Sequence, residues 1–218
     1  MTATVAEENY IKAIFHLSKN ENKVVNTNAI ANEVQTAAAT VTDMLKKLAD
    51  KKLIKYEPYK GVSLSKNGLL MAGKIVRKHR LWETFLVEKL NFKWDEVHEI
   101  AEQLEHIQSD DLIGRLDKFL GSPKIDPHGD PIPDAEGNLI PITSKPLTIA
   151  SSHDVHTVAS VGDQSSSFLQ MLDKLKISIG TKIKIVEKHE FDGSLQVKIN
   201  NQNIINISEQ LAKNLIVK

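Results

Sequence analysis

The 218-residue chain has no cysteine, which excludes disulfides and thiolate metal sites and suits a reducing compartment. It also has no net charge, with 28 basic residues set against 28 acidic ones. A protein that coats nucleic acid without selection is basic throughout, so any nucleic-acid contact here must come from a local patch. No apolar run approaches the roughly 18 residues a membrane span needs. The opening stretch MTATVAEENYIKAIFHL lacks a cationic segment followed by an apolar core, so no signal peptide is expected. There is no Gly-rich phosphate loop and no Ser/His/Asp arrangement, so neither catalysis nor a small organic substrate is expected. These absences point to a cytoplasmic protein with no membrane partner.

Proline is scarce except in one place. Six of seven prolines fall between Pro123 and Pro146, a stretch unable to form regular helix or central strand. Before it the pattern is helical: Tyr10, Ile11, Ile14, Phe15 and Leu17 recur at helical spacing, then Ile30, Ala31 and Val34. A third helix, AAATVTDMLKKLADKKL, leads into LIKYEPYKGVSLS, which reads as a hairpin. Helix is expected again in NGLLMAGKIVRKHRLWETFLVEKL, after an Asn-Gly break, and DEVHEIAEQLEHIQSDDLIGRLDKFL gives one or two more. Beyond the prolines, SSSFLQMLDKL suggests one helix, with Ser165 or Ser166 as N-cap. TKIKIVEKH, SLQVKIN, NIINIS and NLIVK are short alternating runs suggesting a small antiparallel barrel. The expected fold is mainly α with a C-terminal β module, divided into residues 1–75, 76–122, a linker at 123–149, and 150–218.

Helix, turn, helix and hairpin make a winged helix-turn-helix. The small residues Ala37, Ala38 and Ala39 at the start of its second helix let backbone approach a major groove. Thr40 and Thr42 can bond phosphate or a base edge, and Asp43 can accept from a cytosine amino group. Lys46, Lys47, Lys51, Lys52, Lys55, Lys60 and Lys66 supply a local positive patch, unless this is only a solvated helix face. The candidate DNA contacts are Thr27, Ala37, Ala39, Thr40, Thr42, Asp43, Lys47 and Lys60.

A second constellation follows. His79 and Glu83 are four residues apart, as are His98 and Glu102, so each pair points one way along its helix. His98, Glu102, Glu105 and His106 fall within an arc of about 100°. Such a face can be simply the wet side of a helix. However, four of the eight histidines, His79, His98, His106 and His128, share a window of residues 79–128 with Glu83, Glu102, Glu105 and Asp126. Imidazoles and carboxylates without sulfur suit Mn²⁺ or Fe²⁺ and do not exclude Zn²⁺ or Co²⁺.

At these residues the chain resembles the iron- and manganese-dependent repressors typified by the diphtheria toxin repressor and the manganese transport regulator. The resemblance is carried by ENYIKAIFHL, TAAATVTDMLKKLADKKLI, GVSLSKNGLLMAGKIVRKHRLWETFL, VHEIAEQLEHIQSDDLIGRL and DPHGDPIP. The C-terminal module resembles the SH3-like barrel of the longer members. The resemblance implies a winged-helix DNA-binding domain, a helical metal-binding and dimerisation domain, and a homodimer on a palindromic operator of double-stranded DNA when metallated. It implies two possible metal sites per subunit, with His79, Glu83 and His98 in one and Glu102, Glu105 and His106 in the other. Asp126, His128 and Asp163 match positions that help close a site. Glu102 stands where iron-sensing members have cysteine, which favours Mn²⁺ over Fe²⁺. Asn9 replaces methionine or aspartate and could still offer an amide oxygen. Lys12 replaces a carboxylate of the manganese type and cannot ligate while protonated, so the compact two-metal arrangement is not expected. Asp43 replaces glutamine, so the operator cannot be borrowed. Leu112, Ile113, Leu116, Phe119 and Leu120 form an apolar stripe expected to bury against the second subunit. The rival readings are a winged-helix regulator indifferent to metal and a metalloenzyme.

Overall fold

The computed structural model describes residues 3–18, 23–58, 60–140, 143–152, 154–202 and 204–218. They group into two compact units, one drawn from residues 1–79, 102–115 and 133–140, the other from 80–101, 116–132 and 141–218.

The first unit opens with α1 (Val5–Leu17), started by a reciprocal capping box between Thr4 and Glu7. Asn26 caps α2 (Thr27–Glu33), and α3 (Ala38–Asp50) follows a turn in which Gln35 adopts a φ of +49°. β1 (Ile54–Glu57) and β2 (Gly61–Leu64) then pair antiparallel, Ile54 opposite Leu64 and Glu57 opposite Gly61. Val41, Leu45 and Leu48 recur at helical spacing on α3 and are buried with Ile11, Ile14 and Phe15 of α1, Ile30 of α2 and Val62 and Leu64 of β2. Each such side chain contributes about 1.5–3 kcal/mol by leaving water. This is the winged helix-turn-helix that the spacing predicts.

α4 (Lys66–Leu90) runs through Asn67 and Gly68, where a break was expected. Ser65 explains the difference: its hydroxyl accepts from the Gly68 N–H at 3.1 Å and donates to the Lys52 carbonyl at 2.7 Å, so it starts the helix. Gly68 serves as a contact point, since a Cβ there would lie 2.0 Å from the Leu53 carbonyl oxygen. The expected division between residues 75 and 76 falls inside this helix. α5 (His98–Leu104) and α6 (Asp110–Phe119) complete the helical part.

Between residues 123 and 140 the proline-rich segment is irregular but ordered by one device used twice. Asp126 Oδ1 accepts from the backbone N–H groups of His128 and Asp130, both at 2.9 Å. Asp134 Oδ1 accepts in the same way from Glu136 and Asn138 at 3.0 and 2.7 Å. Each turn places its glycine at positive φ, Gly129 at +86° and Gly137 at +90°.

In the second unit a six-stranded antiparallel sheet has the order β3-β8-β4-β5-β6-β7. Its strands are β3 (Lys145–Pro146), β4 (Val155–Val161), β5 (Lys182–Lys188), β6 (Leu195–Ile199), β7 (Ile204–Ile207) and β8 (Leu215–Val217). α7 (Ser166–Lys174), with Ser165 as N-cap, follows β4, and α8 (Glu209–Asn214) precedes β8. Alternating burial on β5 and β6 brings Ile183, Ile185, Leu195, Val197 and Ile199 into a core with Leu169 and Leu172 of α7. β4 and α8 were not foreseen from sequence. Among the described residues no helix is long and apolar enough to cross a membrane.

Candidate metal centre

In the second unit α4 presents Glu83, α5 presents His98, and the 126–130 turn presents Asp126 and His128. Ligand atoms of Glu83, Asp126 and His128 lie within 4.8 Å of one another, and all three residues are buried. His98 Nδ1 is 3.6 Å from Glu83 Oε1, and His128 Nδ1 is 3.4 Å from Glu83 Oε2. Nδ1 of His128 and Oδ2 of Asp126 are buried without a hydrogen bond of normal geometry. The other ring nitrogen of His128 is committed: Nε2–H donates to the Trp94 carbonyl at 2.8 Å, aiming Nδ1 at Glu83. The turn is fixed from behind, where Val161 N–H donates to the His128 carbonyl at 3.1 Å. Gly129 is pressed so closely on β4 that a Cβ would lie 2.0 Å from the Ala159 oxygen.

Charge in this cluster is poorly balanced. Arg80 Nε lies 3.4 Å from Asp126 Oδ2, and its Nη2 lies 3.3 Å from Asp130, which Gln164 also bonds at 3.1 Å. Burial, then the charges of Asp130 and Glu83, push the Asp126 carboxyl well above the usual carboxylate range, against the pull of Arg80 and His128. For His128 burial acts downward, but contact with Glu83, the charge of Asp126 and the Trp94 carbonyl raise it to about 9. Buried carboxyl groups converging beside an imidazole aimed at Glu83 suit a divalent cation, which would supply positive charge among them. Hard oxygen and imidazole donors fit Mn²⁺ or Fe²⁺. Arg80, Asp130 and Trp94 were not anticipated. Asp163, expected near this set, is half-buried, and its Oδ1 accepts from the Ser165 N–H at 2.8 Å at the start of α7.

The remaining expected ligands meet in the first unit. His79 Nδ1 is 2.6 Å from Glu105 Oε2. Lys12 Nζ reaches Glu102 Oε1 at 2.5 Å, Glu105 Oε2 at 2.6 Å and His79 Nδ1 at 3.2 Å. His106 Nδ1 sits 2.7 Å from Glu8 Oε2, and Gln108 donates to Glu8 Oε1 at 2.8 Å. Glu8 is buried where its neighbour Asn9, the residue singled out from sequence, is exposed. A stagger of one residue along α1 decides which side chain faces His106.

On the winged helix, Ala37, Ala39, Thr40, Asp43, Lys47 and Lys60 are exposed, and α3 has no side-chain cap. Thr27 is the first residue of α2 and half-buried. Thr42 Oγ1 donates back to the Ala38 carbonyl at 3.0 Å, and Asp43 pairs with Lys46 at 3.3 Å. Lys51 turns to Glu7 at 2.6 Å, so its charge is partly spent within the chain. On α6, Ile113 and Leu116 are buried within the chain itself, Leu120 is half-buried just beyond the helix, and Leu112 and Phe119 are exposed.

Fold and site together point to the class of metal-responsive, DNA-binding regulators. The sequence matches the iron dependent repressor N-terminal DNA binding domain over residues 2–62 and the metal binding and dimerisation domain of the same repressors over residues 65–134. Residues 145–218 match the FeoA domain. A solved manganese-dependent transcriptional repressor in complex with manganese is similar at a TM-score of 0.89 and 33% identity, covering 97% of this chain and 98% of that one. The manganese regulator SloR is similar at 0.79 and 31%, covering 100% and 99%. The iron-dependent repressor IdeR of Mycobacterium leprae is 34% identical over 127 residues, 58% of this chain and 54% of that protein. A probable metal transport system membrane protein of Chlamydia trachomatis is 48% identical over 71 residues, 33% of this chain but 16% of that protein. The aligned parts thus span about half or less of these two sequence relatives. The chain belongs to the iron-dependent repressor family. That family consists of transcriptional repressors and not enzymes, which removes the metalloenzyme reading.

Proposed function

We propose that this protein is a cytoplasmic, homodimeric transcriptional repressor of metal-ion homeostasis that grips a palindromic operator when charged with a divalent cation, Mn²⁺ in preference to Fe²⁺. Glu83, His98, Asp126 and His128 would hold the ion. The observation that carries this reading is the buried convergence of Glu83, Asp126 and His128, whose ligand atoms lie within 4.8 Å of one another. A bound dication supplies the charge that lets α4, α5 and the 126–130 turn approach without mutual repulsion. α4 is the physical link, because one unbroken helix follows the wing and carries Glu83. The preference for manganese rests on the sulfur-free donor set and on the manganese-responsive proteins among the structural relatives. Two-fold symmetry would place half-sites about one helical turn apart or a multiple of it.

Coupling between ion and operator must be reciprocal: Mn²⁺ tightens DNA by the factor by which DNA tightens Mn²⁺. The test is operator affinity measured with MnCl₂ and with a chelator, for the native chain and for Glu83→Gln. A native chain that binds DNA equally well in chelator is a metal-indifferent regulator, and the proposal is then wrong.

A further inference from the structure

We infer that Lys12 is a built-in cation that fills the second ligand cluster and closes it to metal, so that each subunit takes up one ion rather than two. His79, Glu102 and Glu105 offer ligand atoms within 4.8 Å of one another, a spacing that one cation could bridge. The cation already there is the Lys12 ammonium, 2.5 and 2.6 Å from the two carboxylates and 3.2 Å from the imidazole. Its side chain is only 8% exposed and that of Glu105 is fully buried, so this is no surface pair that salt would dissolve. The group has three donors and a compact charge, and it serves both carboxylates at once.

A metal ion could enter only by displacing this ammonium. The displaced charge would stay tethered beside a new dication in a buried place, an arrangement that like-charge repulsion and desolvation both oppose. The contacts also join separate elements: Lys12 belongs to α1, His79 to α4, Glu102 to α5, and Glu105 follows α5 directly. α1 is therefore held to these groups whether or not metal is present. The cluster works as a permanent clamp, and the responsive step is left to the centre of Glu83, Asp126 and His128. Only the count of one ion rests on the function proposed above; the closure of the second cluster rests on Lys12 alone.

Equilibrium dialysis against MnCl₂ on the full chain tests the inference. The native protein is expected to hold one Mn²⁺ per subunit and to keep that number in Glu105→Gln. Lys12→Ala is expected to hold two, the second lost again when Glu105→Gln is added. Two ions in the native protein, with one lost in Glu105→Gln, would overturn the inference, as would a folded Lys12→Ala that gains none. Should Lys12→Ala fail to fold, the native protein compared with Glu105→Gln decides alone. No ion in the native protein but one in Lys12→Ala, removed by Glu105→Gln, would sink the proposed metal centre and uphold the role of Lys12.

Discussion

His128 arrives in the folded chain with its two ring nitrogens already assigned, one to the Trp94 carbonyl and the other to the space beside Glu83. A ligand so oriented loses little freedom on binding, and removing it leaves Glu83 and Asp126 facing each other. His128→Ala is therefore expected to weaken Mn²⁺ binding by about 100-fold or more, measured by competition with a fluorescent chelator. Proton competition gives a second expectation. With His128 raised to about 9 and Asp126 to about 7, the imidazole holds its proton at neutral pH in the metal-free protein and the carboxyl gains one as pH falls through 7. Metal must displace those protons, so affinity falls as pH falls, by about tenfold per pH unit for each proton released. A Mn²⁺ titration at pH 6, 7 and 8 in unbuffered dye solution should show both the trend and the released protons. A flat profile would mean that the ion does not contact His128.

At the scale of elements, the winged helix puts an uncapped, alanine-lined α3 and its exposed Lys47 at the surface. Lys47→Ala should weaken binding similarly across operator variants and reduce the slope of log affinity against log salt by about one, read by fluorescence anisotropy across a salt series. A change confined to one base position would instead make Lys47 a base-reading residue. Most of these elements were legible in the sequence because each satisfies a local rule. Val41, Leu45 and Leu48 keep helical spacing, and alternation along Ile183, Ile185, Val197 and Ile199 marks strands. What stayed hidden depends on contacts between distant segments. Asn67-Gly68 reads as a break until Ser65 is seen capping the helix and Leu53 is seen leaving no room for a Cβ. β4 is part of a sheet whose pairing partners lie far along the chain. The pairing of Lys12 with Glu102 and Glu105, about ninety residues away, has no local signature. Neither does the exchange of Asn9 for Glu8 as the residue that meets His106, since both lie on the same helix one position apart.

For the whole molecule, the exposed apolar residues of α6 bear on assembly. Phe119 remains 65% exposed although it lies near Phe85 and under the Lys89 ammonium, and Leu112 is 37% exposed. A second copy of the chain would cover them. Phe119→Asp should raise the dimer dissociation constant by at least tenfold in sedimentation equilibrium, because a buried unpaired carboxylate is strongly disfavoured. A persistent dimer would place the contact elsewhere. The seam between the 126–130 turn and β4 has a different consequence. Because the main chain of His128 hangs on Val161, and Gly129 rests on Ala159, melting of the C-terminal sheet and escape of the ion should be one event. A heating scan should then show manganese shifting the endotherm of the FeoA-like portion upward, by about 2.7 kcal/mol of added stability when free ion stands at a hundred times its dissociation constant. A chelator should then also speed proteolysis of that sheet, since the turn that braces β4 would have lost its ion.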